Sequence, residues 1–239
     1  RSLCDWSSDV CSSDLRQRQQ LTGPPARWPR WGLGWHQSRW GWPDDEAVAG
    51  IAEGYRKRGW PIASLWLDIQ AMDGFRSFTF DPVDFDGVQT LMTTLGEDGI
   101  QGVAIVDPGL KEDEGWDLWQ QAVSQDLLLG DPYIGEVWPG PAGFPDFSKA
   151  ETRAWWGGLV ERPLAVGIDG LWIDMNEPSD FAGEGGTVPD ALMADGDGKP
   201  TTSTCSAAST KSSNGKSWHL PSTGKSGRKR SASPLCRNP

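Results

Sequence analysis

Three aspartates stand where a short apolar run ends: Asp68 closes SLWLD, Asp107 closes GVAIVD and Asp174 closes GLWID, with Glu177 three residues farther on. A carboxylate that follows a buried strand faces a mouth rather than a solvated surface. Grouped there, carboxylates can attack, protonate or bind a hydroxylated substrate. On this reading Asp174 is either a catalytic carboxylate or the cap of the next turn. Glu177, beside Pro178, suits a supporting, loop-fixing role better than attack. The two oxygens of an ionised Asp68 can accept hydrogen bonds from neighbouring sugar hydroxyls. Asp73, ahead of Gly74, reads as structural, and Asp107, ahead of Pro108 and Gly109, belongs either to the site or to a turn.

The other chemistries find less support. His36 is the one histidine ahead of the Ser/Lys-rich end of the chain, and no H-x-H or H-E-x-x-H spacing surrounds it. Neither a metal site nor a cofactor is therefore expected. A nucleophilic serine is excluded because G-x-S-x-G does not occur. Arg39 and Trp40 can line a sugar pocket, one donating hydrogen bonds and the other stacking, unless Trp40 packs beneath its own loop. Fifteen tryptophans against two tyrosines and seven phenylalanines is a strong bias toward a broad flat ring that stacks on the C–H face of a sugar. Most of them are nevertheless expected in the core.

The elements that must position these groups alternate strand and helix. Apolar runs of strand length lie at 31–35, 63–69, 102–106 and 171–174. Val48, Ile51, Ala52 and Tyr55 follow helical spacing after Asp44 and Asp45 as caps and before Gly59 as a stop. Val88, Leu91, Met92 and Leu95 repeat that spacing and end near Gly99. Trp116, Trp119, Val123 and Leu127 mark a looser third helix, and Ser148 with Glu151 forms a capping box for a fourth over 150–161. Four βα units with nearly continuous apolar strands imply a parallel sheet covered by helices. No G-x-G-x-x-G follows the first strand, which removes the main support for a dinucleotide fold. Polar groups at the strand ends, with His36 and Arg39 expected just after the first, point instead to an α/β (β/α)₈ TIM barrel active at its carboxyl face.

The ends of the chain differ from its middle. Residues 196–239 carry eight Lys or Arg and one acid, although the 239-residue chain as a whole has a net charge of −11. So acidic a body disfavours nucleic acid and anionic membrane surfaces as partners. No apolar run is long enough to span a membrane, and no basic-plus-apolar leader opens the chain, so a cytoplasmic location is expected. Cys4, Cys11, Cys205 and Cys236 all lie in these ends, which rules out a disulfide framework for the core. Residues 1–15 show neither periodicity and are expected to be non-native or disordered. Residues 201–239, with fifteen Ser or Thr, are expected to be a disordered or frameshifted tail.

Several strings together resemble one known family. GLGWHQSRWGW (32–42), LWLDIQAMDGFRSFTFDP (65–82), VDPG (106–109), GEVWPGPAGFPDF (135–147) and GIDGLWIDMNEPSDF (167–181) are similar to glycoside hydrolase family 31, best known for α-glucosidases. The resemblance covers residues 21–200. It implies a (β/α)₈ catalytic barrel and a retaining double displacement on an α-glucoside or oligosaccharide. Asp174 would then be the nucleophile, with Glu177 in support. Asp68, of the W-x-D motif, would bind sugar hydroxyls, and Trp40, Trp138, Trp172 and Met175 would wall the pocket, with Arg39, His36 and Asp107 as further substrate contacts. Gln70 and Ala71 stand where the family commonly has an acid and an aromatic, at the pocket edge.

The family's acid/base aspartate, and an Arg and a His that bind sugar, belong to later strands, beyond the resemblance. Neither Asp195 nor Asp197, in a Gly-rich polar stretch, fits that role. The expectation is therefore a partial barrel of about four βα units, inactive and poorly stable alone because a half barrel exposes strand edges. A non-catalytic carbohydrate-binding module is the alternative, and a metal-dependent barrel hydrolase a third reading. The sequence leaves α-glucosidase, α-xylosidase, transglycosylase and lyase chemistry open.

Overall fold

In the computed structural model, which describes residues 9–23, 27–189 and 192, polar signals at helix ends fix the elements around the site. After α1 (Asp9–Thr22), a 3-10 turn (Arg30–Leu33) leads into β1 (His36–Ser38) and α2 (Asp45–Arg58). The Asp44 carboxylate caps α2 by accepting from Ala47 N at 2.7 Å, and Gly59, at φ 63°, ends it in the left-handed region that glycine enters without strain. Asp45 and Glu46 in the first turn and Arg56, Lys57 and Arg58 in the last complement the helix dipole.

β2 (Ser64–Leu67), α3 (Val88–Glu97) and β3 (Gln101–Val106) follow, and farther on α5 (Ala150–Leu159), α6 (Glu161–Ala165) and β7 (Gly170–Ile173). Between them lie β4 (Leu110–Lys111), α4 (Asp117–Ser124), β5 (Ile134–Val137) and β6 (Gly140–Gly143).

Strands β1, β2, β3 and β7 form one parallel sheet in that order, with Ser38 opposite Trp66, Trp66 opposite Val103 and Val106 opposite Ile173. Leu65 and Leu67 of β2 pack with Val48, Ala52, Leu91 and Leu95 of α2 and α3. Because strand side chains alternate, Ser64, Trp66 and Asp68 face the other, concave side. A second core joins Leu118, Trp119 and Ala122 of α4 to Trp156 and Leu159 of α5, with Phe78 and Val106.

Three expectations change. The strand expected at 31–35 is a turn, closed by Gly32 N to Pro29 O (3.0 Å) and Gly34 N to Trp31 O (2.9 Å), and the strand begins at His36. Its alternating tryptophans satisfy loop packing rather than a sheet face. Residues 9–22 are helical, although residues 16–22 remain exposed and bury no face. The N-cap position of α5 falls on Lys149, which supplies no side-chain cap, instead of on Ser148, and the helix ends at Leu159. Sequence periodicity also gave no sign of the small antiparallel sheet β4-β6-β5, whose strands are only two to four residues long.

Candidate active site at the strand ends

Parallel register brings the three aspartates together. Val106 pairs with Ile173, so the next residues, Asp107 and Asp174, are neighbours across β3 and β7, and Asp68 follows Leu67, which pairs with Ala104. Asp68, 9% exposed, accepts from Ile69 N at 2.7 Å and so starts a 3-10 turn (Ile69–Ala71). Burial pushes its carboxyl above the ordinary range, against the Ile69 bond and with the charge of Asp174.

Asp107, 7% exposed, is pushed further, to about 8, by burial first and then by the charges of Asp174, Asp68 and Glu177. Its Oδ1 is buried without a hydrogen-bond partner. Buried Ser77 clamps its backbone, its hydroxyl donating to Asp107 O at 2.7 Å and accepting from Asp107 N at 3.2 Å. Asp174 is half-buried, and its Oδ1 accepts from Met175 N at 3.0 Å. Met175 lies at φ 59°, and its side chain packs on the cluster of Leu129, Val137, Ala142, Phe144 and Val188 beside the small sheet. Glu177 is exposed, precedes a cis peptide to Pro178, and accepts from the Ser179 hydroxyl at 2.6 Å.

Aromatic rings fill the concave face below these acids. Trp31, His36, Trp66 and Trp172 follow one another at centroid spacings of 5.8, 5.7 and 5.7 Å. Trp66 Nε1 donates to Ser64 Oγ at 2.8 Å and to His36 Nδ1 at 3.1 Å. The network thus assigns the imidazole proton to Nε2, which donates to Trp31 O at 3.1 Å. His36 therefore corrects the sequence reading. It opens β1 instead of following it, pairs with Ser64 at the end of the sheet away from Asp68, and uses both ring nitrogens within the chain.

At the open end, Trp40, Trp138 and Phe181 form edge-to-face pairs at 5.3 and 4.9 Å, and they are 61%, 39% and 50% exposed. The Arg39 guanidinium lies over the ring of Trp42 at 5.8 Å. Trp42 is buried and donates to Trp66 O at 2.9 Å. Gln70 Oε1 accepts from Gly41 N at 3.1 Å and so fastens the Trp40 loop to the loop after β2. Asp73 pairs with Arg76, which also pairs with Asp113.

Sequence reasoning missed Ser77 and Asp180. Asp180 is fully buried and accepts from the Tyr133 hydroxyl (2.6 Å), Glu136 N (2.9 Å) and Ala182 N (3.0 Å). Its place in the NEPSDF string is the only signal that could have flagged it.

Among the described residues no group of three or more His, Cys, Asp or Glu side chains is arranged to hold a metal ion, and no helix is long and apolar enough to cross a membrane. Asp195, Asp197 and the segments 1–8 and 201–239 lie outside the described residues.

Residues 25–225 match the model of the glycosyl hydrolases family 31 TIM-barrel domain, a stretch that runs on into the Ser/Lys-rich tail. Alpha-glucosidase 2 of Bacillus thermoamyloliquefaciens is 40% identical over 192 residues, covering 79% of this chain and 24% of that protein. Alpha-xylosidase 1 of Arabidopsis thaliana is 38% identical over 180 residues, covering 73% of this chain and 20% of that protein. The crystal structure of a family 31 alpha-glucosidase from Bacteroides thetaiotaomicron superposes with a TM-score of 0.68 at 32% identity, covering 77% of this chain and 32% of that one. The chain thus spans about a quarter of the length of the curated relatives it matches. Its four parallel strands form part of such a barrel wall and do not close it.

Proposed function

Because this chain belongs to glycosyl hydrolase family 31, we propose that it carries the nucleophile side of a retaining α-glycosidase, with Asp174 attacking the anomeric carbon of a terminal α-linked glucosyl residue. The observation that carries this reading is the convergence of Asp68, Asp107 and Asp174 at the carboxyl ends of neighbouring strands, beneath an exposed aromatic rim. One Asp174 oxygen is oriented by Met175 N, while the other accepts no hydrogen bond among the described residues. A carboxylate held this way keeps a lone pair for attack.

Asp68 accepts bonds from sugar hydroxyls, and Trp40, Trp138 and Trp172 offer ring faces. Met175 orients Asp174 through its backbone and supports the wall by packing. Glu177 fixes the loop through Ser179.

A retaining mechanism needs a second carboxyl about 5–5.5 Å from the nucleophile to protonate the leaving oxygen. Asp68 and Asp107 are both buried, and Glu177 is committed to its own loop. We therefore assign the acid/base to none of the described carboxylates, and propose that the 239-residue chain alone does not turn over.

An α-gluco-configured cyclitol aziridine tests the assignment, because the basic ring nitrogen carries its own proton and opens without help from an enzyme acid. Covalent label on the peptide containing Asp174, absent in Asp174→Asn, is the expected result. An unlabelled chain that still binds the sugar favours a carbohydrate-binding module. Release of glucose from an aryl α-glucoside at an enzyme-like rate, abolished by Asp174→Asn, would overturn the claim that the chain alone is inactive.

A further inference from the structure

We infer that Asp107 is a positioning residue whose carboxyl stays protonated and donates a hydrogen bond toward Asp174, instead of contacting the sugar. The inference rests on the reading of Asp174 as the nucleophile. Three observations carry it.

First, register makes the two residues adjacent, since the last paired residues of β3 and β7 are Val106 and Ile173. Adjacent strands lie about 4.8 Å apart, so side chains that follow paired positions on one face reach each other. Second, Asp107 Oδ1 is buried and has no partner among the described residues. An ionised carboxylate with an unpartnered buried oxygen forfeits its hydration without compensation, whereas a neutral carboxyl forfeits far less and gains a donor. Third, Ser77 grips both Asp107 N and Asp107 O, so the backbone that aims this carboxyl is fixed independently of any ligand.

The titratable groups acting on Asp107 are Asp174 immediately after β7, Asp68 at the end of β2 and Glu177 in the loop after β7, all acids. No cation is among them. Three like charges favour Asp107 as the neutral acid at neutral pH, and its raised proton affinity, to about 8, agrees.

The consequence for chemistry is specific. A donor on the oxygen already held by Met175 N fixes the orientation of the nucleophile, leaves its other oxygen free to attack, and stabilises the charge that returns to the carboxylate when the sugar later departs. The proton stays on Asp107 throughout.

The test is a ¹³C-carboxyl titration of the full 239-residue chain with labelled aspartate, assigned with Asp107→Asn and Asp174→Asn. The Asp107 signal is expected to titrate near pH 8, and the Asp174 signal to move at that same pH. Asp107→Asn, whose amide still donates, should remove the movement of Asp174 and keep aziridine labelling within about threefold of the unmodified chain. Asp107→Leu, which cannot donate, should slow labelling by at least tenfold, the equivalent of about 1.4 kcal/mol.

Titration of Asp107 in the ordinary carboxylate range, or an Asp174 signal that is flat where Asp107 ionises, overturns the inference. So does equal labelling of the Asn and Leu variants. Labelling that survives in Asp174→Asn would sink the nucleophile reading instead, and the titration of Asp107 distinguishes the two failures.

Discussion

The Tyr133 hydroxyl donates to Asp180 Oδ2 at 2.6 Å, and this bond ties the loop after β7 to the segment that leads into β5. Phe181 N continues the tie by donating to Glu136 O at 2.7 Å. These bonds join the small sheet to the loop after β7, and the edge-to-face pair of Trp138 and Phe181 lies across the same junction. Gly135 makes the tie sterically feasible: a Cβ there would lie 2.5 Å from Asp180 Oδ2.

Removing the tie should destabilise the fold. Asp180→Ala leaves a half-buried phenol and two backbone N–H groups without their acceptor and should cost about 3 kcal/mol in urea unfolding, while Tyr133→Phe should cost about 1–2 kcal/mol. Gly135→Ala should approach the larger value. A cost below about 0.5 kcal/mol for Asp180→Ala would show that the loop is held elsewhere.

The two buried acids should give opposite pH responses. Burial alone would raise the Asp180 carboxyl, but the bonds from Tyr133 and from backbone N–H groups outweigh it and hold it below the ordinary range. Its stabilisation is present above the unfolded value of about 4 and is lost as pH falls through the lower folded value. Asp107 is raised, so the folded state binds its proton more tightly than the unfolded state does. Stability should fall as pH rises from about 4 to about 8, by no more than about 1.4 kcal/mol per pH unit. Asp107→Asn should flatten that slope and leave the acid limb unchanged. An unchanged slope in that variant would show that Asp107 is not its source.

Gln70 should control the Trp40 loop. Gln70→Leu removes the acceptor for Gly41 N, and the Gly41 amide should exchange with solvent about five- to tenfold faster. Gly41 lies at φ 70°, so Gly41→Ala adds strain of about 1 kcal/mol at the same hinge. Exchange at Gly41 that does not change would mean that the loop is closed by other contacts.

Asp68→Asn keeps the shape of the turn acceptor and removes the charge that sugar hydroxyls would meet. Aziridine labelling at Asp174 should slow by about 10- to 100-fold, in line with loss of charge-assisted hydrogen bonds. An unaltered rate would remove Asp68 from the sugar-binding role.

The sequence by itself determined the parallel sheet, two of its helices nearly residue for residue, and the three strand-end aspartates. In each case the signal was local. Asp44 and Gly59 bound α2 by side-chain and backbone chemistry within one turn, and the apolar runs before Asp68 and Asp107 record burial on both faces of a strand, whereas β7 ahead of Asp174 is only partly buried and leaves Ile173 exposed. The tertiary structure decided what each polar group does once it is there. Whether His36 is free for a ligand, and where the Arg39 guanidinium lies, depended on Trp66, Trp31 and Trp42, partners that no spacing rule links to them. Asp107 and Asp180 are both buried aspartates next to short motifs. One lacks a partner for Oδ1 and is driven toward neutrality, and the other accepts from Tyr133 and backbone amides and stays charged. Burial pushes both upward, so the donors and neighbouring charges that each one meets set the direction, and most of these arrive from strands and loops distant in the chain.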